Sequence, residues 1–206
     1  MKFQSIIFDL GGVLIDWNPD YVFDHLFDDP GKKKYFFENI CTSDWNEEQD
    51  AGRELQVATN ELIAKHPEWK TYIEAFYGRW EEMLGGPIHD TVDILKKLKE
   101  QEQYKLYALT NWSGETFPVA LRKFDFLHWF DGRLVSGDEK MRKPFPEFYQ
   151  LLLDRFGLNA ATSLFIDDNL RNVKAAEDLG IRSIHFQSPG QLKNILVEMK
   201  LLPAEL

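Results

Sequence analysis

The sequence predicts an α/β protein in which a doubly wound parallel sheet is interrupted by an inserted helical segment. Three observations lead to this fold class. The chain contains short apolar runs of strand length, helical patterns separate the later runs, and the gap from residue 9 to residue 105 is far longer than a crossover between strands needs.

The apolar runs are short and almost continuous, which is typical of strands buried on both faces of a parallel sheet. They lie at residues 5–8, 106–109, 134–135, 164–166 and 183–186. Helical periodicity separates the later runs, over residues 91–100, 146–156 and 169–179. Gly180 is suited to end the last of these helices. This alternation of strands and helices indicates a Rossmann-like core.

Residues 17–87 differ from the rest, because they are rich in aromatic and charged residues compatible with helices and contain no clear strand. A parallel crossover needs only about a dozen residues. The interval therefore predicts an inserted helical cap domain at 17–87, between two parts of an α/β core at 1–16 and 88–206. Asn18 or Asp20 is suited to cap the first helix of the insert.

Composition and charge exclude several classes of protein. The chain has 206 residues, of which 44% are hydrophobic and 28% charged, so global disorder is excluded. A formal net charge of −10 argues against partners such as nucleic acids and anionic membranes. The single cysteine, Cys41, gives no disulfide framework. Neither a membrane-length apolar run nor a secretory leader pattern is present, so a cytoplasmic location is expected.

Polar residues with chemical potential follow the predicted strands or lie in the loops between them. They are Asp9, Thr110, Asn111, Lys143, Asp167 and Asp168. Open α/β sheets bind ligands at the carboxyl ends of their strands, so we expect these side chains to meet. A carboxylate can act as a nucleophile, paired carboxylates suit Mg²⁺, and a lysine can neutralise phosphate charge. The set predicts an in-line phosphoryl-transfer site.

In this order and spacing, these residues resemble the signature of the haloacid dehalogenase superfamily. The matching segments are Phe8-Asp9-Leu10-Gly11-Gly12-Val13-Leu14, Leu109-Thr110-Asn111, Arg142-Lys143-Pro144 and Ile166-Asp167-Asp168-Asn169. The resemblance spans the whole chain, since the helical insert falls where that family carries its first-type cap. It extends to sugar-phosphate phosphatases, some of which share the Asp-Leu-Gly beginning.

The resemblance implies a role for each matching residue. Asp9 would be the nucleophile that forms an aspartyl-phosphate, and Lys143 would bridge Asp9 and the phosphate. Thr110 and Asn111 would hold the phosphoryl oxygens. Mg²⁺ would be held directly or through water by Asp9, the Gly11 backbone carbonyl, Asp167 and Asp168.

Gly11 departs from the family pattern. Most phosphatases of this family have a second aspartate two residues after the nucleophile, which protonates the leaving group and later activates water. Three replacements for this acid and base remain open: an ordered water, a cap residue, or a leaving group reactive enough to need no acid. Asp16 is one candidate, although capping of the first insert helix is the favoured role for it.

Two further residues have two open interpretations each. Trp112 either lines a substrate pocket or packs under the cap. Asn172 lies three residues after Asn169 on one helix face, so it either orients water around the metal or is an exposed helix residue.

We therefore expect a Mg²⁺-dependent phosphatase that hydrolyses a small, sugar-phosphate-like monoester, as a monomer or weak dimer. One alternative is a 2-haloacid dehalogenase, in which Asp9 attacks carbon without Mg²⁺; the acidic pair at 167 and 168 argues against it. Another is a catalytically weak phosphate-ligand sensor, suggested by Gly11.

Because the excess of acidic residues lies mainly within 17–87, the cap is expected to disfavour highly charged substrates.

Overall fold

The computed structural model describes residues 2–204, and a five-stranded parallel sheet lies at its centre. The strands are β1 (Ser5–Phe8), β2 (Ile15–Trp17), β3 (Leu84–Pro87), β4 (Lys105–Thr110), β5 (Gly132–Val135), β6 (Ser163–Asp167) and β7 (Arg182–His185). The sheet has the order β5-β4-β1-β6-β7. All four pairings within it are parallel, so the predicted α/β class is confirmed.

Eleven α-helices lie in the described part of the chain. They are α1 (Asp20–Phe23), α2 (Pro30–Asn39), α3 (Ser43–Asp50), α4 (Leu55–Lys65), α5 (Lys70–Gly78), α6 (His89–Glu100), α7 (Phe117–Lys123), α8 (Ser136–Glu139), α9 (Pro146–Phe156), α10 (Leu170–Asp178) and α11 (Pro189–Glu198). Short 3-10 turns occur at Pro67–Trp69, Trp80–Met83, Asp125–Trp129 and Ala160–Thr162.

Helices cover both faces of the sheet, which explains why most side chains of its central strands β1, β4 and β6 are buried and apolar. Ile6 and Phe8 join the apolar cluster that contains side chains of α6, α7 and α11. Ile7 points to the opposite face, where it joins side chains of α9 and α10. The alternation follows from the two-residue period of a strand, and both clusters exclude water from the sheet.

Local sequence signals determine where several helices begin and end. Asn169 caps α10, since its side chain accepts a hydrogen bond from the Arg171 N–H. Pro146 begins α9, and Gly157 ends it in the left-handed conformation with φ 62°. Gly180 likewise adopts a positive φ, of 78°, just after α10.

The residues between β2 and β3 form five helices, α1 to α5, which share an apolar cluster of their own that includes Phe23, Phe36 and Phe76. Just before the first of them, the Asn18 side chain accepts a hydrogen bond from the Asp20 N–H at 2.9 Å. The predicted boundaries at 17 and 87 fall within β2 and β3. This division into core and cap stays a prediction.

The prediction that 17–87 contains no strand is wrong. Leu84–Pro87 forms β3, which pairs antiparallel with β2, and Gly86 has a φ of 115°. Glycine has a low intrinsic strand preference, so this strand gives no sequence signal. Its pairing with β2, some seventy residues earlier, creates it, and places the two ends of the insert side by side.

Within residues 2–204, no helix is both long enough and apolar enough to cross a membrane.

Candidate active site

Strand register brings the predicted nucleophile and the acidic pair to one edge of the sheet. Phe8 of β1 is paired with Ile166 of β6, so Asp9 and Asp167 follow at the same level. The Asp9 N–H continues the pairing by donating to the Ile166 carbonyl at 2.8 Å. Parallel strands end at the same edge, which is where this fold places ligands.

The chain turns tightly after Asp9, and Gly12 makes the turn possible. The Leu10 carbonyl accepts hydrogen bonds from the Leu14 and Ile15 N–H groups at 2.8 and 2.9 Å. Gly12 has a φ of 72°, and a Cβ there would lie 2.2 Å from Oδ2 of Asp168. Only glycine fits this close approach without moving the carboxylate.

Lys143 lies fully buried between two carboxylates. Its Nζ is 2.9 Å from Oδ1 of Asp9 and 2.7 Å from Oδ2 of Asp167. Burial alone lowers a lysine pKa, but the charges of Asp167 and Asp9 outweigh this and raise the pKa of Lys143. The lysine therefore stays charged, as a buried ammonium group between two carboxylates should.

Asp167 uses both of its oxygens within the protein. Oδ1 accepts from the Asn169 N–H at 2.8 Å, Oδ2 accepts from Lys143, and the Asn172 amide lies 3.1 Å from each oxygen. Asn172 is buried, so of its two interpretations the exposed one is excluded. Asn172 and Lys143 together hold the carboxylate of Asp167 in one orientation.

The carboxylates of Asp9, Asp167 and Asp168 converge, with one oxygen of each lying within 4.8 Å of the others. Burial, opposed by Lys143 and reinforced by Asp167, raises the pKa of Asp9 to about 8. Burial and the charge of Asp167 also raise the pKa of Asp168. A single lysine thus leaves negative charge uncompensated. Hard oxygen donors in this arrangement fit Mg²⁺.

Thr110 ends β4 with a hydroxyl that has no hydrogen-bond partner among the described residues, although the residue is only 1% exposed. A buried hydroxyl without a partner costs free energy unless a ligand or water satisfies it. The Thr110 hydroxyl is therefore available to a ligand oxygen, and its predicted contact with phosphate stays a prediction.

The side chain of Asn111 forms two hydrogen bonds within the protein. Its amide donates to the Lys143 carbonyl at 2.9 Å, and its oxygen accepts from the Lys143 N–H at 2.8 Å. Asn111 therefore fastens the loop that carries Lys143. Asn111 also lines the cavity, and its predicted contact with substrate stays a prediction.

Trp112 packs against the insert and also lines the cavity. Its indole N–H donates to the Thr116 hydroxyl at 3.1 Å, and its ring packs against Trp80 with centroids 5.8 Å apart. It also lines the cavity above Asp9. The packing of Trp112 and Trp80 connects the cavity wall to the end of the insert.

A cavity of about 300 Å³ lies above the carboxylates, between the sheet edge and the inserted helices. Asp9, Gly11, Lys143 and Asp168 contribute from the sheet side. Asn46, Glu47, Asp50, Tyr77 and Trp80 contribute from the insert. The insert therefore covers the site, and a substrate in the cavity would contact both parts of the chain.

Glu47 of α3 joins the insert to the sheet side. Its two oxygens form ion pairs with Arg142, next to Lys143, and with Arg171 of α10. Asp16 does not take part in the site: its carboxylate accepts a hydrogen bond from the Tyr21 hydroxyl, and it is absent from the cavity lining. Asp16 does not cap α1 either, since the side chain that accepts a hydrogen bond from the first residue of this helix is that of Asn18.

Sequence reasoning missed Glu47, Asp50 and Arg171. None of them belongs to a motif, and the two acids lie in an acidic stretch that reads as a solvated helix face. The sequence shows that these residues are charged and lie in helices. It does not show which face of an insert helix contacts the core.

Comparison with known proteins connects this geometry to a family. A family profile described as "Haloacid dehalogenase-like hydrolase" matches residues 6–186. A sesquiterpene phosphatase of Aspergillus oryzae is 31% identical over 89% of this chain and 89% of its own. A phosphoglycolate phosphatase of Aliivibrio fischeri is 27% identical over 87% of this chain and 82% of its own.

A solved structure shares the fold. It is an enzyme of the same family from Bacteroides thetaiotaomicron, crystallised with magnesium and inorganic phosphate. The two structures have a TM-score of 0.69 and 24% sequence identity, over 90% of this chain and 95% of the other.

Proposed function

Because this chain belongs to the haloacid dehalogenase-like hydrolase family, we propose that it is a Mg²⁺-dependent phosphatase that acts through an aspartyl-phosphate on Asp9. The expectation of a hydrolase is confirmed by that membership. The observation that carries the finer proposal is the convergence of three carboxylates, one buried lysine and a Thr110 hydroxyl without a partner. Its phosphatase relatives and the phosphate-bound fold neighbour support this assignment.

Asp9 is suited to attack phosphorus with one defined oxygen. Its Oδ1 accepts from the Leu10 N–H at 2.7 Å and contacts Lys143 at 2.9 Å. We assign the attack to Oδ2, while these two donors hold the carboxylate in place. Lys143 and the Thr110 hydroxyl would bind the equatorial oxygens, which carry the charge of the transition state.

The metal would be held by Asp168, Asp9 and the Gly11 backbone carbonyl. Asp167 already accepts four hydrogen-bond contacts, so we expect it to reach the ion through water. When bound, Mg²⁺ neutralises the negative charge that the carboxylates and the phosphoryl group bring together.

The substrate is proposed to be a small monophosphate. A cavity of about 300 Å³ with Trp17, Tyr77, Trp80 and Trp112 in its wall suits a compact body with an apolar or hydroxyl-rich face. A sugar phosphate fits this description, and the relatives add terpenyl phosphates and phosphoglycolate to the panel worth testing.

The expected effect of the acidic cap on charged substrates is weak. Among the described residues of 17–87, Glu47 and Asp50 are the acids that line the cavity, and Glu47 is neutralised by Arg142 and Arg171. The other acids of the insert lie outside that lining, where solvent screens them.

The decisive experiment measures phosphate release from p-nitrophenyl phosphate. Wild-type protein should require Mg²⁺ and lose activity in EDTA, and Asp9→Asn should fall to background in the presence of Mg²⁺. Asp125→Asn, which makes the same change at an exposed site of the core, is the control. Turnover without metal, or by Asp9→Asn, would contradict the proposal.

The same preparation separates the alternatives. Chloride release from 2-chloropropionate in EDTA would identify a dehalogenase. Binding of phosphomonoesters without turnover across the panel would identify a sensor.

A further inference from the structure

The space beside Asp9 is open at the position where the family usually places a second aspartate. A Cβ on Gly11 would meet no atom within 4 Å. Gly11 lines the cavity but offers no side chain to transfer a proton. If the chain hydrolyses an ester with a poor leaving group, an ordered water or another side chain in the cavity has to supply the proton.

Asp50 is the last residue of α3 and reaches the same cavity from the insert. It is half-buried, and the backbone N–H of Ser113 faces its carboxyl. Ser113 lies three residues after Thr110, whose hydroxyl is assigned above to the phosphoryl oxygens. Lys143 is close enough to act on the charge of Asp50. Because Asp9, Gly11 and Asp50 line one cavity, the Asp50 carboxyl borders the space in which the leaving group of a bound monoester would lie.

A chain of hydrogen bonds holds the Asp50 side chain. The Tyr77 hydroxyl donates to Oδ1 of Asn46 at 2.8 Å, and the Asn46 amide donates to Oδ2 of Asp50 at 3.2 Å. The Ser136 hydroxyl donates to the Asp50 carbonyl and so fastens the end of α3 to the sheet side. Anchoring from both parts of the chain fixes a proton donor in one position.

The surroundings of Asp50 suit a group that must both give and take a proton near neutral pH. The pKa of Asp50 is raised to about 7, chiefly by burial and also by the charge of Glu47, while the Ser113 N–H, Arg142 and Lys143 oppose the rise. Proton transfer is most effective when the pKa of the catalytic group lies near the working pH.

We propose that Asp50 is the general acid and base of this hydrolase and takes the role that Gly11 cannot fill. The assignment rests on the proposed phosphatase function. As Asp9 Oδ2 bonds to phosphorus and the bond from phosphorus to the leaving oxygen breaks, the Asp50 carboxyl gives its proton to that oxygen. Water then attacks the aspartyl-phosphate and gives a proton to the Asp50 carboxylate. Phosphate departs, and both aspartates return to their initial states.

The test compares leaving groups in Asp50→Asn. The first readout is phosphoenzyme formation, measured by rapid quench with p-nitrophenyl phosphate and with an alkyl phosphate. The variant should form phosphoenzyme from p-nitrophenyl phosphate at about the wild-type rate, because nitrophenolate leaves without a proton. Its rate with the alkyl phosphate should fall roughly 10²–10⁴-fold. Equal losses with both substrates, or no loss with either, would overturn the assignment.

Two further variants complete the experiment. Asp44→Asn makes the same chemical change on an exposed position of α3 and should retain wild-type rates with both substrates. Gly11→Asp, added to Asp50→Asn, places a carboxyl in the open space and should recover alkyl phosphate hydrolysis; the absence of any recovery would count against proton transfer as the missing step.

These outcomes are distinct from failure of the proposed function. If Asp9→Asn hydrolysed p-nitrophenyl phosphate, the aspartyl-phosphate route would fall whatever Asp50 does. If Asp9→Asn were inactive and Asp50→Asn unaffected, the phosphatase proposal would stand and the role of Asp50 would fall.

Discussion

The ionisable residues of this site differ in the neighbours that determine their charge. Lys143 compensates two carboxylates that burial would otherwise penalise, and no solvent reaches it. Asp50 has no such ion pair and instead accepts a hydrogen bond from Asn46. Burial consequently favours the protonated form of Asp50, and this preference is linked to stability.

Asp50→Asn should stabilise the protein more as pH rises. The pKa of Asp50 in the folded protein is raised from 3.8 to about 7, so the unfolded state ionises first and wild-type stability falls between these values. Asparagine does not ionise. The gain in unfolding free energy should therefore grow by about 2–3 kcal/mol between pH 5 and pH 8.

Urea denaturation without Mg²⁺ at pH 5, 6.5 and 8 measures this gain. Glu47, Arg142 and Lys143 surround Asp50 and are unchanged in the variant, so Asp44→Asn is the matched control. A gain that is constant with pH would show that the Asp50 carboxyl ionises as readily in the folded protein as in the unfolded chain.

The loop that connects β1 to β2 determines how closely the metal-binding groups approach one another. Its glycines differ: a Cβ at Gly11 meets nothing, while a Cβ at Gly12 would collide with Asp168. Gly12 is therefore constrained by its positive φ and by its close contact with Asp168. Only the contact with Asp168 affects the proposed metal site.

Gly12→Ala should weaken Mg²⁺ binding beyond its effect on stability. Gly157 supplies the control, since it has a φ of 62° and open space around its Cβ. Both alanine variants should lose about 1–2 kcal/mol to the left-handed conformation. Only Gly12→Ala should also show a smaller rise in Tm on adding Mg²⁺, because Asp168 must move. Equal Mg²⁺-induced shifts in both variants would contradict the proposed metal site.

At the scale of the whole molecule, the insert and the sheet close on each other through Glu47. Its pairs with Arg142 and Arg171 join the insert to the sheet side, and the packing of Trp80 on Trp112 forms a second contact. Partly exposed ion pairs contribute about 0.2–1 kcal/mol each, so this contact favours closure without locking it.

Glu47→Gln should raise KM for p-nitrophenyl phosphate a few-fold, because the closed arrangement loses both ion pairs. The KM of the wild-type protein should increase with salt, while that of the variant should respond less. Glu48→Gln, an exposed neighbour on α3, is the control. Identical salt dependence in wild-type and Glu47→Gln protein would remove the role given to Glu47.

Several elements of this fold could be predicted from the local sequence. Helix α9 begins at Pro146 and ends at Phe156 as predicted, since a proline and a following glycine mark its ends. The parallel core could be predicted because short apolar runs alternate with helical patterns along the chain. The strand β3 was missed because its glycines carry no strand preference and its partner is distant in sequence.

The candidate site was also predicted only in part from the sequence. Asp9, Thr110, Lys143, Asp167 and Asp168 could be named from the sequence, because strand ends and motif spacing identify them. The engagement of the Asn111 amide by Lys143 could not be predicted, since hydrogen-bond partners depend on the path of a loop thirty-two residues later.

The sequence by itself determined the fold class, the order of the elements and the group of polar residues at the sheet edge. These depend on periodicity and on the shared direction of parallel strands, which are local properties. The tertiary structure decided which helix face of the insert covers the site, and so brought Glu47 and Asp50 into the cavity. Such placement depends on packing between segments distant in sequence, where the burial of each charge is determined by neighbours that no local pattern reveals.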